Sequence, residues 1–252
     1  MSKIKLIIFI FVILAIEPDS VKYLPIIIIT FCIVNYKKKN QEFKQNEYYN
    51  DSKQSFFEIL KDKGKYGEYL TYDCLKKSRD NDTKFLFNLY LPKLDGTTTE
   101  IDLVMITKKA IFVFESKNYS GWIYGDESQY KWCQILPSGK GRSRKEFFYN
   151  PIMQNAGHIN TLKSFVKDQV PIYSVIVFSE RCKLKKIDIK SNNVRVTHRS
   201  GLQRTVDEIC NGIVSDSLNA DEILRIYDDL YFYTQVCDQI KADHVNDVRK
   251  YN

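Results

Sequence analysis

The most pronounced pattern in the chain is a pair of short apolar runs, Ile101 to Ile106 and Ile111 to Phe114, separated by Thr107-Lys108-Lys109-Ala110. Runs of this length rich in branched and aromatic residues predict two strands, and the four residues between them predict a tight turn. Both runs are apolar on both faces, as in strands buried inside a sheet. Charged side chains are costly in such a setting, yet Glu100, Asp102, Glu115 and Lys117 gather at one end of the pair.

A turn of two or four residues sets Ile106 opposite Ile111. Counting outward then puts Asp102 opposite Glu115 and Glu100 opposite Lys117, with all four on one face. Directly opposed residues have Cβ atoms about 4.5–5.5 Å apart, so two carboxylates at these positions repel unless a cation lies between them. A hard divalent ion, Mg²⁺ or Mn²⁺, is the ordinary occupant of such a site, and Lys117 beside it is placed to orient or activate a water. The competing reading is a solvated hairpin end closed by a Glu100–Lys117 pair.

The flanking pattern supplies the rest of an α/β unit. Phe56, Ile59 and Leu60 mark a short helix, and a second helix runs over residues 65–78 with Glu68 near its first turn, where an acid suits the helix dipole. Residues 84–91 read as a strand and 92–98 as a turn. Residues 121–124 and 129–136 read as a further strand pair, with Trp122 and Trp132 packed on the sheet, stacking on nucleic-acid bases being the alternative. Residues 137–145 read as a Gly-containing basic loop whose Lys140, Arg142, Arg144 and Lys145 suit a phosphate backbone, solvation being the alternative. Asn150-Pro151 is a helix start leading to an amphipathic helix through about Lys167. Gln154 and His158 share a face of it, His158 reading as a surface or core-edge histidine. Residues 172–178 predict a buried strand, 181–190 a second basic surface, and 194–197 an edge strand. Residues 201–214 and 219–242 predict closing helices.

The N-terminus differs in kind. Residues 6–16 and 23–34 are apolar, with Lys3 and Lys5 before them and Lys37, Lys38 and Lys39 after. Basic residues at both outer ends predict a membrane hairpin with the rest of the chain cytoplasmic. The spans are short: the second reaches only about 25 Å against a hydrocarbon core of roughly 30 Å. A cleaved signal peptide competes, but no A-x-A-like site follows and a second apolar run does. The expected division is a membrane anchor of one or two spans over 1–36, a polar linker over 37–54, the α/β domain over 55–198 and a helical extension over 199–252.

Composition narrows the partners. The 252 residues, 44% apolar and 27% charged, suffice for one domain with appendages, and the formal net charge of +7 suits a polyanion or an anionic membrane. Six scattered cysteines without a CxxC spacing read as free thiols in a reducing compartment. The three histidines are too dispersed for a zinc site, and the basic loop lacks the spacing of a nucleotide-binding P-loop.

The order of Gly67-Glu68 on a helix, Glu100-Ile101-Asp102, Glu115-Ser116-Lys117-Asn118-Tyr119-Ser120-Gly121, Trp132, and Asn150-Pro151 with Gln154 resembles a NERD (nuclease-related) domain. The NERD family is placed in the PD-(D/E)xK nuclease superfamily. The resemblance implies a restriction-endonuclease-like mixed central sheet flanked by helices, and Mg²⁺-dependent hydrolysis of nucleic acid, DNA being the favoured substrate. It further implies Asp102 and Glu115 as metal ligands, Lys117 as the catalytic lysine, Glu68 as an outer acid, and Gln154 as a neighbour of the site. Ala110 stands where such hairpins usually carry glycine, and Ser116 takes the usually apolar middle position of ExK. The alternative is a non-catalytic nucleic-acid- or protein-binding module that keeps the fold, against which the intact Asp102, Glu115 and Lys117 argue.

Overall fold

Three of the predicted strands come together as β1 (Lys84–Pro92), β2 (Thr98–Ile106) and β3 (Ile111–Lys117), antiparallel neighbours in that order. The structure, a computed structural model, describes residues 22–76, 80–139, 141–166 and 170–250. Ile106 stands opposite Ile111 as the turn length predicts. Thr107 closes that turn twice, its backbone N–H donating to the Ala110 carbonyl at 3.0 Å and its hydroxyl accepting from the Ala110 N–H at 3.1 Å. Ala110 is not among the described residues with positive φ, so the turn has no need of glycine.

Two further strands extend this layer. β7 (Ile172–Phe178) pairs with β3 in parallel, and β9 (Val194–His198) pairs in parallel with β7 at the edge. One face is covered by α5 (Pro151–Leu162) through Ile159 and Leu162, and by α7 (Ala220–Tyr231) through Ile226 and Leu230. On the other, Tyr72 of α4 (Lys63–Leu75) meets Phe85 and Phe87 edge-on at 5.2 and 4.9 Å. Caps fix where these helices start. Asp62 accepts from the N–H groups of Gly64 and Lys65, and Asn150, followed by Pro151, accepts from that of Ile152. A shorter helix, α3 (Phe56–Lys61), precedes α4 and opens on a Ser55–Glu58 capping box.

The expectation of a single central sheet is corrected: among the described residues there are two. β4 (Gly121–Asp126) and β5 (Lys131–Pro137) belong to a second sheet of order β6-β5-β4-β8, completed by β6 (Ser143–Tyr149) and β8 (Cys182–Asp188). β8 lies within the second stretch that read as basic surface, and β6 begins in the last three residues of the first and runs on to Tyr149. Trp132 joins the layers by stacking on Phe178 of β7, with ring centroids 6.2 Å apart. Trp122, expected on the core, is 47% exposed on the opposite face.

Toward the C-terminus lie α6 (Leu202–Gly212) and α7, and then α8 (Asp238–Lys250). The single helix expected over 219–242 is interrupted by a 3₁₀ turn, Phe232–Thr234, where the Thr234 hydroxyl takes the Tyr231 carbonyl at 2.8 Å. The helix after Asn150 likewise ends at Leu162, short of the expected Lys167.

The chain divides into the compact units Met1–Tyr49 and Asn50–Asn252. Within the first, α1 (Leu24–Lys44) carries the second apolar run and continues through Lys37–Lys39. Phe43 near its end packs against Tyr48 and Tyr49. A short helix, α2 (Glu47–Ser52), crosses the boundary, so much of the stretch expected as a polar linker is helical. Among the described residues no helix is long and apolar enough to cross a membrane, and the first apolar run, residues 6–16, lies outside them.

Candidate active site

Asp102 sits where the sheet loses its regular pairing on both sides. The β1–β2 ladder pairs Phe87 with Leu103 and Leu89 with Ile101 but omits Asn88 and Asp102 between them. The β2–β3 ladder stops at Leu103 opposite Phe114, one pair short of Asp102 and Glu115. Asn88 has φ 49°, a left-handed conformation that asparagine tolerates better than most residues. Side-chain alternation changes here, since Ile101 and Val104 both enter the same core cluster. The picture of Glu100, Asp102, Glu115 and Lys117 as two opposed pairs on one face is therefore corrected. Asp102 Oδ2 instead accepts from the Ser116 backbone N–H at 2.9 Å, in place of a ladder bond. Glu100 accepts from the Tyr90 hydroxyl at 2.6 Å and lies 3.7 Å from His244 Nε2 on α8.

At the end of β3, Lys117 Nζ donates to Glu115 Oε1 at 2.6 Å and to Gln154 Oε1 on α5 at 3.0 Å. Glu115 is almost fully buried. Its other oxygen, Oε2, lies 3.3 Å from His158 Nε2, near but not aligned, so neither atom has a hydrogen-bond partner. His158 Nδ1 is held by the Thr99 hydroxyl at 2.6 Å. The sequence reading placed His158 at the surface or core edge. Its shared face with Gln154 follows from their spacing of four, but the Thr99 hydroxyl and the Glu115 carboxylate that flank it come from strands distant in sequence.

Glu68 approaches from α4. Gly67 makes that approach possible, because a Cβ there would stand 3.0 Å from the Asn118 Cβ. Asn118 ties the loop after β3 to α4 by donating to the Lys63 carbonyl at 2.6 Å, and its Oδ1 accepts from Arg181 at 2.9 Å. Ser116, unusual for its apolar position, faces α4 and lies 3.2 Å from the Thr71 hydroxyl.

The electrostatics are those of a site short of positive charge. Burial, then the carboxylates of Glu115 and Glu68, push Asp102 well above the usual carboxylate range. Burial, followed by Glu100 and Glu115, pushes Glu68 up to about 8. Burial also opposes ionisation of Glu115, but Lys117 and His158 outweigh it and hold the group at about 2. Burial works against the charge on Lys117, yet Glu115 and Asp102 raise its pKa above the ordinary lysine value.

A family model described as the nuclease-related domain matches residues 63–179. The uncharacterized protein pXO1-01 of Bacillus anthracis is 32% identical over 187 residues, which cover 74% of this chain and 84% of the relative. The chain belongs to the nuclease-related domain family. No solved structure matches it.

The NERD match takes in Glu68, Asp102, Glu115 and Lys117, the three acids and the lysine expected at the site, and Gln154 beside them. Among the described residues no three His, Cys, Asp or Glu side chains are grouped to hold a metal by themselves. The donors still fit a hard divalent ion: Glu115 Oε2 is buried and without a hydrogen-bond partner, and Lys117 and the Ser116 N–H only partly offset the negative neighbours of Asp102. Mg²⁺ is commonly held by only one or two carboxylates, with water and substrate phosphate completing its shell.

The basic residues do not form the single loop expected of them. Lys140 lies outside the described residues, and Arg142 is exposed in the turn before β6. Arg144 and Lys145 are consecutive on β6, opposite Leu136 and Ile135 respectively, so they point to opposite faces of the sheet. Arg144 is paired with Glu146 at 2.6 Å.

Proposed function

We propose that this NERD protein is a metal-dependent nuclease hydrolysing phosphodiester bonds of nucleic acid, with DNA as the first substrate to test. What supports this reading is the convergence of Asp102, Glu115, Lys117 and Gln154 where β2 and β3 part, inside the family-matched segment. Asp102 and Glu115 would hold Mg²⁺ or Mn²⁺, which when bound supplies Lewis-acid polarisation of the phosphate and a more acidic water. The reading rests on the nuclease-related unit alone and includes no membrane tether.

Lys117 has three N–H donors, of which Glu115 and Gln154 take two. The third is free to meet a phosphate oxygen or the attacking water. Because its neighbours favour its charged form, Lys117 acts as a positioning and charge-stabilising group rather than as the base. Gln154 fixes the amine from α5, and His158, anchored by Thr99, sits against the Glu115 carboxylate. Glu68, pushed up to about 8, carries its proton at neutral pH in the metal-free protein and so stands as a proton donor rather than a base.

The test is incubation of the full-length chain with single- and double-stranded DNA and RNA, with Mg²⁺, with Mn²⁺, and with chelator. Cleavage of at least one substrate that requires the ion is expected. Intact substrates under every condition, alongside retained nucleic-acid binding, would assign the protein to the non-catalytic binding class.

A further inference from the structure

We propose that the outer face of the second sheet is a stacking platform for single-stranded nucleic acid. The proposal rests on the nucleic-acid reading above and names the form of substrate the protein holds. Strand register sets out two adjacent rows on this face. The first runs Lys145, Ile135, Trp122, Lys183, and the second Phe147, Cys133, Tyr124, Lys186. The alternate positions of the same strands turn inward, where Ile123 and Trp132 are fully buried. Trp122 is 47% exposed and Phe147 66%. Two more rings, Tyr130 and Tyr149, lie exposed beside the rows with centroids 5.1 Å apart.

Large rings left in water on a sheet face ask for an explanation, and here the row with Trp122 has a lysine at each end and the row with Phe147 has one at its far end. Lys185 Nζ lies 5.0 Å from the Trp122 ring centroid. Neither row contains an acid; Asp126 and Asp188 stand opposite each other at the far end of β4 and β8. Strands about 4.8 Å apart, with side chains repeating about every 6.5–7 Å along each, put Trp122 and Phe147 on the order of 12 Å from one another. That spacing suits two separate bases of one strand, with ammonium groups beside its phosphates. Stacking needs free base faces, which a duplex keeps in its own stack, so the chemistry selects a single strand. An anionic bilayer also takes lysines and aromatics, but the residues between these rings, Cys133 and Ile135, are half-buried and offer no apolar protrusion.

The chain has two tryptophans and Trp132 is fully buried, so quenching by bases reports on Trp122. The full-length chain is titrated in chelator, where metal-dependent cleavage is off, with 20-mers of dT, dA and U, with a duplex of matched length, and with anionic phospholipid vesicles. Single strands should quench the fluorescence and bind at least tenfold more tightly than the duplex. Phe147→Ala, at an exposed position, should weaken that binding by about 5- to 140-fold, the usual range for one lost base–ring stack. Lys183→Ala should lower the salt dependence of binding. Absence of quenching by any single strand, unchanged affinity in Phe147→Ala, or a response to vesicles alone would overturn the platform. Metal-dependent cleavage measured in parallel separates the two readings. Cleavage with an inert Phe147 removes the platform and leaves the nuclease, whereas stacking without cleavage on any substrate removes the nuclease and leaves the platform.

Discussion

Replacing Lys117 by methionine removes a cation from beside a carboxylate with almost no access to water. Glu115 is 2% exposed, and its Oε1 lies 2.6 Å from the Lys117 amine. Burial alone would raise the carboxyl, yet Lys117 and His158 bring it from an ordinary 4.5 to about 2. That lowering corresponds to about 3 kcal/mol of stability near neutral pH. A depressed carboxylate contributes this stability above its unfolded value and loses it as the pH falls from about 4.5 toward 2. Lys117 is the first of the two groups behind that lowering, so Lys117→Met should destabilise the metal-free protein at pH 7 by up to about 3 kcal/mol, the lower end of the roughly 3–5 kcal/mol for a broken buried pair. The deficit should shrink as the pH falls below 4.5. Urea unfolding followed by circular dichroism at pH 7 and pH 4 measures both. Added Mn²⁺ should restore part of the loss, about 2.7 kcal/mol at one hundred times its dissociation constant. A deficit under about 1 kcal/mol at pH 7, the level of a surface pair, would show that Glu115 does not depend on Lys117.

Other consequences follow from single contacts. Gly125→Ala would place a Cβ 2.1 Å from the Trp132 ring, so thermal melting should report a loss of roughly 1–3 kcal/mol or more from overpacking. Glu68 is raised to about 8, which makes folding favour its protonated form. Without metal the protein should gain stability as the pH is lowered from about 8 to 4.5, and Glu68→Gln should flatten that part of the profile. Lys145→Ala should reduce the log–log salt slope of nucleic-acid binding by about 1, whereas Arg144→Ala, on the other face and held by Glu146, should leave it unchanged. Anisotropy titrations over a range of KCl distinguish the two.

The hairpin was legible because its signal is local: two apolar runs, a short turn, and a register fixed by counting. The break in pairing at Asp102 was not, since it depends on the left-handed Asn88 of a neighbouring strand and on the Ser116 N–H. The second sheet was only half legible. β6 and β8 carry many charged residues because one face of the sheet is open to water, so their stretches read as basic surface. Period-two alternation was present in Ser143–Tyr149, but its exposed set, Lys145, Phe147 and Tyr149, mixes lysine with aromatics. Gln154 was found from its place after the ExK strand. The Thr99–His158 and Glu100–His244 contacts join residues far apart in sequence, and no local pattern announces them.

The central claim is that Asp102 and Glu115 hold an ion on which hydrolysis depends. Calorimetric titration of Mn²⁺ into the full-length chain, repeated for Asp102→Asn, Glu115→Gln and Lys117→Met, tests it when the same samples are assayed for cleavage. Binding by the wild type and by Lys117→Met, loss of binding in both carboxylate variants, and loss of cleavage in all three are predicted. Cleavage that survives in Asp102→Asn or Glu115→Gln, or Mn²⁺ binding that both substitutions leave unchanged, would contradict it.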